Sequence, residues 1–343
     1  MTNLDPLLTS SYNFSLPDNL IATHPVTPRN SAKLLVYNRH TDTIIHTYFY
    51  NLAHFIPKEC ALIFNDTKVI KARLYGHKQS GGSIELLINK PINAHLVNVY
   101  IKGRVKADTL LRFQNNIFAK VVSLNNDGSR DIVFLQQNKQ IRFEKLLSIL
   151  DEIGHIPLPP YLQREDTQQD KEDYQSVFAL YDGAVAAPTA SLHFTSKQYK
   201  ETCQTFKHAF ITLHVGAGTF KPVQTDLIIQ HPMHGEYYKI SSQALELINA
   251  DTPILSVGTT TTRTIEYFIR NTHKIAGEAN LFLHPGNTPK RVNHLLTNFH
   301  LPKSTLLMLV ASFVGLEKTL QLYDEAIKNN YRFYSYGDAM LIL

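Results

Sequence analysis

Four side chains able to bind substrate or move a proton, Thr189, Ser191, His193 and Thr195, stand at every second position within residues 183–195, GAVAAPTASLHFT. If the chain from Thr189 is extended, all four project from one face and Ala190, Leu192 and Phe194 from the other. His193 could then exchange a proton near neutrality. The threonine hydroxyls could hold polar groups, and Gly183 and the small residues after it permit close packing. A turn followed by an amphipathic edge strand has the same pattern, and pattern alone does not separate the two. A serine hydrolase fits less well, because the segment has no GxSxG elbow.

Other motifs carry chemistry of their own. In HVGAGTF (214–220) the pair Gly216 and Gly218 begins like a dinucleotide fingerprint, yet Lys221 and Pro222 follow where a phosphate-binding helix should run. HPMHGE offers His231, His234 and Glu236 as metal ligands. It lacks HExxH spacing, and in extended chain only His234 and Glu236 share a face, so hydrogen bonding to substrate or a neighbouring loop is the expected use. TNFHLPKS sets Asn298 and His300 before Pro302 and a helix N-cap at Ser304, either beside an anion-binding helix N-terminus or simply shaping the entry loop. Arg263 and Glu266 lie three apart on the helix opened by GTTTT, a spacing that equally suits a surface ion pair.

The elements that must position these residues fall into two patterns. Residues 34–47 read as two strands about a turn at 38–42, and 61–64 as a buried strand ending at Asn65 and Asp66. From 69 to 143 short apolar segments recur at intervals of about 8 to 14 residues, the sign of an all-β unit. They are 69–75, 83–89, 96–101, 109–113, 117–124, 131–135 and 140–143. A helix is predicted over 143–153 with Gly154 as its cap, then extended chain through Pro157, Pro159 and Pro160, then a solvated helix start in EDTQQDKEDYQ. Buried strands at 208–215 and 254–257 deliver polar loops, helices follow at 242–249, 304–315 and 320–328, and the chain ends strand-like in RFYSYGDAMLIL. The predicted fold is mixed α/β: a larger domain with a mixed sheet, 1–68 and 150–343, interrupted by a small inserted β-barrel domain, 69–149.

Length and composition set the outer bounds. A chain of 343 residues, 43% hydrophobic, exceeds the size at which one core usually suffices. Cys60 and Cys203 lack CxxC spacing, which points to a reducing compartment. The N-terminus carries acids, Asn and Pro where a secretory signal has a basic and then an apolar region, and no apolar run reaches the roughly 18 residues of a membrane span. A cytoplasmic protein is expected. The net charge of +5 would favour a polyanionic partner without demanding one, since no Lys/Arg run accompanies it.

Ten blocks in order carry a resemblance: FNDTKVIKARL (64–74), GGSIELL (81–87), GHIPLPPY (154–161), DYQSVFA (173–179), GAVAAPTASLHFT, LHVGAGTFKPV (213–223), HPMHGE, VGTTTTRTIE (257–266), TNFHLPKSTLLMLV (297–310) and YRFYSYGDAMLI (331–342). Together they resemble the S-adenosylmethionine:tRNA ribosyltransferase-isomerase family of queuosine biosynthesis, nearly end to end. The resemblance implies an α/β domain with an inserted β-barrel. It also implies a tRNA partner whose anticodon stem-loop carries 7-aminomethyl-7-deazaguanine at the wobble position. S-adenosylmethionine would be co-substrate, giving its ribose to the aminomethyl nitrogen for rearrangement to epoxyqueuosine, with loss of adenine and methionine. No true cofactor, no metal and no membrane are implied, and a monomer is expected.

For the acid/base the candidates are His193, then His214 and His300. Asp66, Lys68 and Arg73 are expected to form a polar cluster, with Lys68 or Arg73 on RNA phosphate. Thr189, Thr195, Thr260 and Arg263 would hold the methionine carboxylate or ribose hydroxyls, the Arg by a bidentate contact, and Asn298 and Tyr336 would contact a base. Ser191 stands where the family usually reads Gly, Lys71 where Pro is common, and Thr262 where Val is frequent. Two alternatives remain: a catalytically impaired RNA-binding homologue with Ser191 as its lesion, and a histidine-rich metallohydrolase using His231, His234 and Glu236.

Overall fold

Short apolar runs build the core of the chain, continuous in the central strands of the larger sheet and alternating in the barrel. The computed structural model describes residues 4–220, 223–271 and 274–343. Strands β1 (Lys33–Asn38) and β2 (Thr43–Tyr48) are followed by α1 (Leu52–Phe55), β3 (Ala61–Asn65) and β4 (Thr67–Val69). Then come β5 (Arg73–Lys78), β6 (Ser83–Pro91), β7 (Leu96–Lys102), β8 (Leu110–Arg112), β9 (Ile117–Leu124), β10 (Arg130–Gln136) and β11 (Lys139–Gln140). Helices α2 (Phe143–Ile153) and α3 (Asp170–Asp173) lead to β12 (Tyr181–Ala184), α4 (Ser196–Thr205), β13 (His208–Leu213) and β14 (Glu236–Ile240). The last part is α5 (Ser242–Asn249), β15 (Ile254–Val257), α6 (Thr259–Arg270), β16 (Ala276–Ala279), β17 (His294–Asn298), α7 (Thr305–Val314), α8 (Leu316–Lys328) and β18 (Ala339–Ile342).

Nine strands form one mixed sheet in the order β16-β14-β13-β3-β15-β17-β18-β1-β2. Its centre, β13-β3-β15-β17, is wholly parallel. Alternate residues of these strands face opposite layers. Leu62, Phe64, Leu255, Val257 and Leu296 pack with Phe49, Leu52, Phe194 and Phe206 on one side. Ile63, Ile211, Leu213 and Ile254 meet α5 and α6 through Ala244, Ile248, Ile265 and Phe268 on the other. Both faces are therefore covered, as a parallel sheet requires.

The second sheet closes on itself as a six-stranded barrel, because β10 pairs with both β7 and β9. Inward-facing Leu74, Ile84, Leu86, Ile88, Val97, Val99, Ala119, Val121, Ile132 and Phe134 fill it, and α2 adds Leu146, Ile149 and Leu150 to the same cluster. The fold is thus the expected larger α/β part with a mixed sheet plus a small barrel. Elements α1, β12, α4, β14, β16 and β17 stand where the sequence predicts none, and further details differ. The predicted strand 69–75 is split between β4 and β5. Only Ala339–Ile342 of the terminal segment is strand. Asp170, expected on a solvated helix start, is 2% exposed because Arg164, Thr167 and Tyr336 all donate to its carboxylate. No single helix among the described residues is long and apolar enough to cross a membrane.

Candidate active site

Because β13, β3, β15 and β17 are parallel, their carboxyl ends share one edge, where open α/β sheets bind ligands. The loops leaving that edge enclose a cavity of 380 Å³, within the roughly 300–1,000 Å³ of small-molecule sites. Val215 and Thr219 reach it from the loop after β13, Gly258, Thr259 and Thr260 from the turn after β15, and Asn298, His300 and Ser304 from the segment after β17. Thr189, Tyr161, Tyr334 and Ser335 also line it.

Two helices begin in this lining. Gly258, at φ +95°, turns β15 directly into α6 and offers no side chain to cap it. At α7 the Ser304 hydroxyl accepts from Leu307 N–H at 3.2 Å, which leaves the N–H groups of Thr305 and Leu306. First-turn N–H groups and the positive ends of two helix dipoles therefore converge on one cavity, an arrangement suited to a carboxylate.

Asn65, at the end of β3, ties this edge together. Its Nδ2 donates to Leu213 O at 3.0 Å and to Thr260 Oγ1 at 3.2 Å, and its Oδ1 accepts from Leu213 N at 2.9 Å and Thr67 N at 3.2 Å. Asn65→Ala leaves these buried groups without partners and is expected to cost roughly 2–4 kcal/mol in urea unfolding, at about 1–3 kcal/mol for an unsatisfied buried group. A change below about 0.5 kcal/mol would contradict the bonds described.

The residues expected to act do not all meet. Thr189, Thr260, Arg263, Asn298 and His300 line the cavity. His193 does not: it is 4% exposed, and its Nε2 lies 3.3 Å from Asn298 Nδ2. His214 faces a separate cleft with Asn89, Gly183 and Tyr237. Its Nδ1 is 2.7 Å from Thr67 Oγ1, and Gly183 is required there because a Cβ would stand 2.8 Å from the imidazole. Thr195 caps α4, its hydroxyl accepting from Gln198 N–H. Tyr336 donates to Asp170 at 3.0 Å.

Asp66, Lys68 and Arg73 are not a cluster. Asp66 accepts from the Thr212 hydroxyl at 2.6 Å, Lys68 pairs with Asp182 at 3.1 Å, and Arg73 pairs with Glu85 at 3.1 Å. Nor do Arg263 and Glu266 pair on the surface. Arg263 is 7% exposed and donates to Glu236 at 2.5 Å and to Leu281 O at 3.2 Å, so its fork is already occupied by a carboxylate that must neutralise it. Glu266, 0% exposed, accepts from Arg270 and from the N–H groups of Lys290, Arg291 and Val292.

The alternation within 189–195 is not an extended strand. Thr189–His193 is a 3-10 turn, with Ser191 N–H donating to Pro188 O at 2.9 Å. Ser191 is 0% exposed, does not line the cavity and has ordinary negative φ, so its backbone conformation does not require glycine. Glu236, held by Arg263 and by Gly216 N–H at 3.0 Å, is not free to join His231 and His234 as a ligand. Among the described residues no group of three His, Cys, Asp or Glu could hold a metal ion. Lys221 and Pro222 lie outside the described residues. Sequence reasoning missed Tyr161, Tyr334 and Asn65, which have no periodic signal and stand in segments read as loop or strand end.

Burial pushes both His193 and His300 down to about 3 from 6.5, with Arg332 and Arg29 adding to the effect at His193. Both rings are uncharged in the fold and free to protonate when unfolded. Between pH 6.5 and about 3 the unfolded chain therefore binds more protons, so this contribution is fully present above 6.5 and lost as pH falls toward 3. Going from neutrality to about pH 5 is expected to cost roughly 2 kcal/mol per ring, read as a falling urea midpoint. Replacing either histidine should flatten the slope, and an unchanged slope would contradict the burial.

With this geometry in hand, comparison with known proteins is specific. The family model described as "Queuosine biosynthesis protein" matches residues 9–342. A relative from Sulfurimonas denitrificans, named S-adenosylmethionine:tRNA ribosyltransferase-isomerase, is 62% identical over 98% of this chain and 98% of its own. One of the same name from Nitratiruptor sp. is 57% identical over 99% of this chain and 100% of its own. The crystal structure of S-adenosylmethionine tRNA ribosyltransferase from Thermotoga maritima superposes with a TM-score of 0.54 at 30% identity, covering 97% of this chain and 100% of that one.

Proposed function

The chain belongs to the queuosine biosynthesis protein family, a family of transferases, and on that premise we propose that it is itself an S-adenosylmethionine:tRNA ribosyltransferase-isomerase. Its substrates are S-adenosylmethionine and a tRNA whose wobble base is 7-aminomethyl-7-deazaguanine. The ribose passes to the aminomethyl nitrogen and rearranges to an epoxycyclopentane, with release of adenine and methionine. The observation that carries this reading is the cavity at the carboxyl edge of the parallel strands, bounded by two helix N-termini.

Each substrate group finds a counterpart there. The first turns of α6 and α7 suit the methionine carboxylate. Thr189 and Thr260 supply hydroxyls for the ribose. Removal of a C5′ proton, made acidic by the sulfonium, calls for an unprotonated base in the cavity, and His300 is the lining imidazole held neutral by burial. Arg263 shapes the wall and contributes no free fork. The proposed division into a catalytic part, 1–68 with 150–343, and a barrel part, 69–149, accords with a cavity lined wholly from the former.

The test is transfer of label from S-adenosylmethionine labelled in its ribose carbons to tRNA carrying the aminomethyl base. Labelled tRNA with one adenine and one methionine released per transfer is expected. Tight RNA binding without transfer would replace this reading with that of an impaired homologue, and transfer of the methyl group would reject the chemistry.

A further inference from the structure

Tyr161 and Tyr334 stand side by side in the cavity lining, their ring centroids 4.3 Å apart and their planes inclined by 35°. Neither ring is held by packing alone. The Tyr161 hydroxyl donates to Ser335 Oγ at 2.5 Å and accepts from Ser335 N–H at 3.0 Å. Tyr334 has φ +74°, a left-handed conformation that bulky residues seldom adopt. Its N–H donates to Phe299 O at 3.0 Å, and its carbonyl accepts from Asn298 Nδ2 at 3.1 Å. The same Asn298 nitrogen meets His193 Nε2, so His193 acts on the cavity through Asn298 and the Tyr334 backbone.

A strained backbone latched on both sides keeps an aromatic face in a place where relaxation would withdraw it. The lining also includes apolar Pro160, Ala186, Ala187, Pro188 and Leu306, which suit a planar heteroaromatic ring. We propose that Tyr161 and Tyr334 form the platform on which the adenine ring of S-adenosylmethionine stacks. This subsite rests on the ribosyl-transfer reading and adds to it the residues that bind the leaving purine. Adenine is favoured over the modified base of the RNA because the pair shares one cavity with the two helix N-termini. A single small molecule with a carboxylate at one end and a purine at the other spans both features. Asn298 and His193 are then positioning residues for the platform.

Equilibrium dialysis of the full chain with 5′-methylthioadenosine, methionine and free 7-aminomethyl-7-deazaguanine tests the assignment. Tyr161→Leu and Tyr334→Leu are expected to weaken methylthioadenosine by roughly tenfold to a hundredfold, the usual worth of stacking a base on an aromatic ring. Methionine binding should stay unchanged, and Tyr161→Phe, which keeps the ring but loses the hydroxyl's bonds to Ser335, should weaken methylthioadenosine less than Tyr161→Leu does. Unchanged methylthioadenosine binding in both leucine variants overturns the platform, as does a loss confined to the deazaguanine. A second measurement needs no variant: photolabelling of the parent protein with 8-azidoadenosine should mark the peptide holding Tyr161 or Tyr334, and label elsewhere overturns the proposal. Parent protein that binds neither methylthioadenosine nor S-adenosylmethionine removes the ribosyl-transfer reading itself, and the platform with it.

Discussion

Replacing His300 with alanine is expected to slow adenine release in a single turnover by roughly 10²–10⁴-fold, the range for loss of a general base, while methionine still binds. Of the three imidazoles with the right chemistry, only His300 lines the cavity. Its Nε2 lies 2.9 Å from Thr297 Oγ1. In the tautomer that donates from Nε2 to that hydroxyl, the lone pair is left on Nδ1 to receive the C5′ proton. Burial keeps the ring unprotonated at neutral pH, so the rate should not fall between about pH 8 and 6 through protonation of this group. His193→Ala should act more weakly, because His193 reaches the cavity only through Asn298. A fall in His193→Ala as deep as in His300→Ala, or near-normal release in His300→Ala, would reverse the assignment.

Glu236→Ala is expected to lose about 3–5 kcal/mol of stability in urea, the cost of stranding one charge of a buried pair. It leaves the Arg263 guanidinium, 7% exposed, without its counter-charge, and Gly216 N–H without its acceptor. The paired replacement Glu236→Leu with Arg263→Met removes both charges together. It should recover most of the loss, since burying an ion pair brings little net gain over apolar packing. Wild-type stability in Glu236→Ala, or additive losses in the double variant, would contradict the pairing. Glu236 joins the cavity wall to the start of β14, so the single variant should also lose transfer activity.

The sheet was legible because its central strands are buried on both faces. ALIF, HAFITL and ILSV are short, largely apolar runs suited to a place between two layers, and each is a strand where expected. Helix 143–153 was legible to the residue, since its apolar spacing stops at Gly154. Barrel strands announced themselves by interval, but the pairings of β7 with β10 and of β5 with β8 that complete the ring join non-consecutive strands, which local pattern does not encode.

The site was legible as a set of segments and illegible as geometry. The alternation of Thr189, Ser191, His193 and Thr195 suggested one polar face. Pro188 instead starts a 3-10 turn that buries Ser191 and His193, and Thr195 is used to cap α4. Arg263 looked like the partner of Glu266 three residues on, yet Arg263 donates to Glu236, and Glu266 accepts from Arg270 and from the 290–292 backbone N–H groups. Buried charges choose partners by desolvation and three-dimensional proximity, which spacing along one helix does not encode. Tyr334 was hidden for a similar reason, because its left-handed backbone is imposed by bonds to Asn298 and Phe299 rather than by its own preference.

The most direct measurement is a crystal structure of the protein with S-adenosylmethionine bound. The ligand is expected in the 380 Å³ cavity, its carboxylate on the first-turn N–H groups of α6 or α7, its C5′ beside His300 and its adenine against Tyr161 and Tyr334. Density in the cleft of Asn89, His214 and Tyr237, with that cavity empty, would contradict this placement.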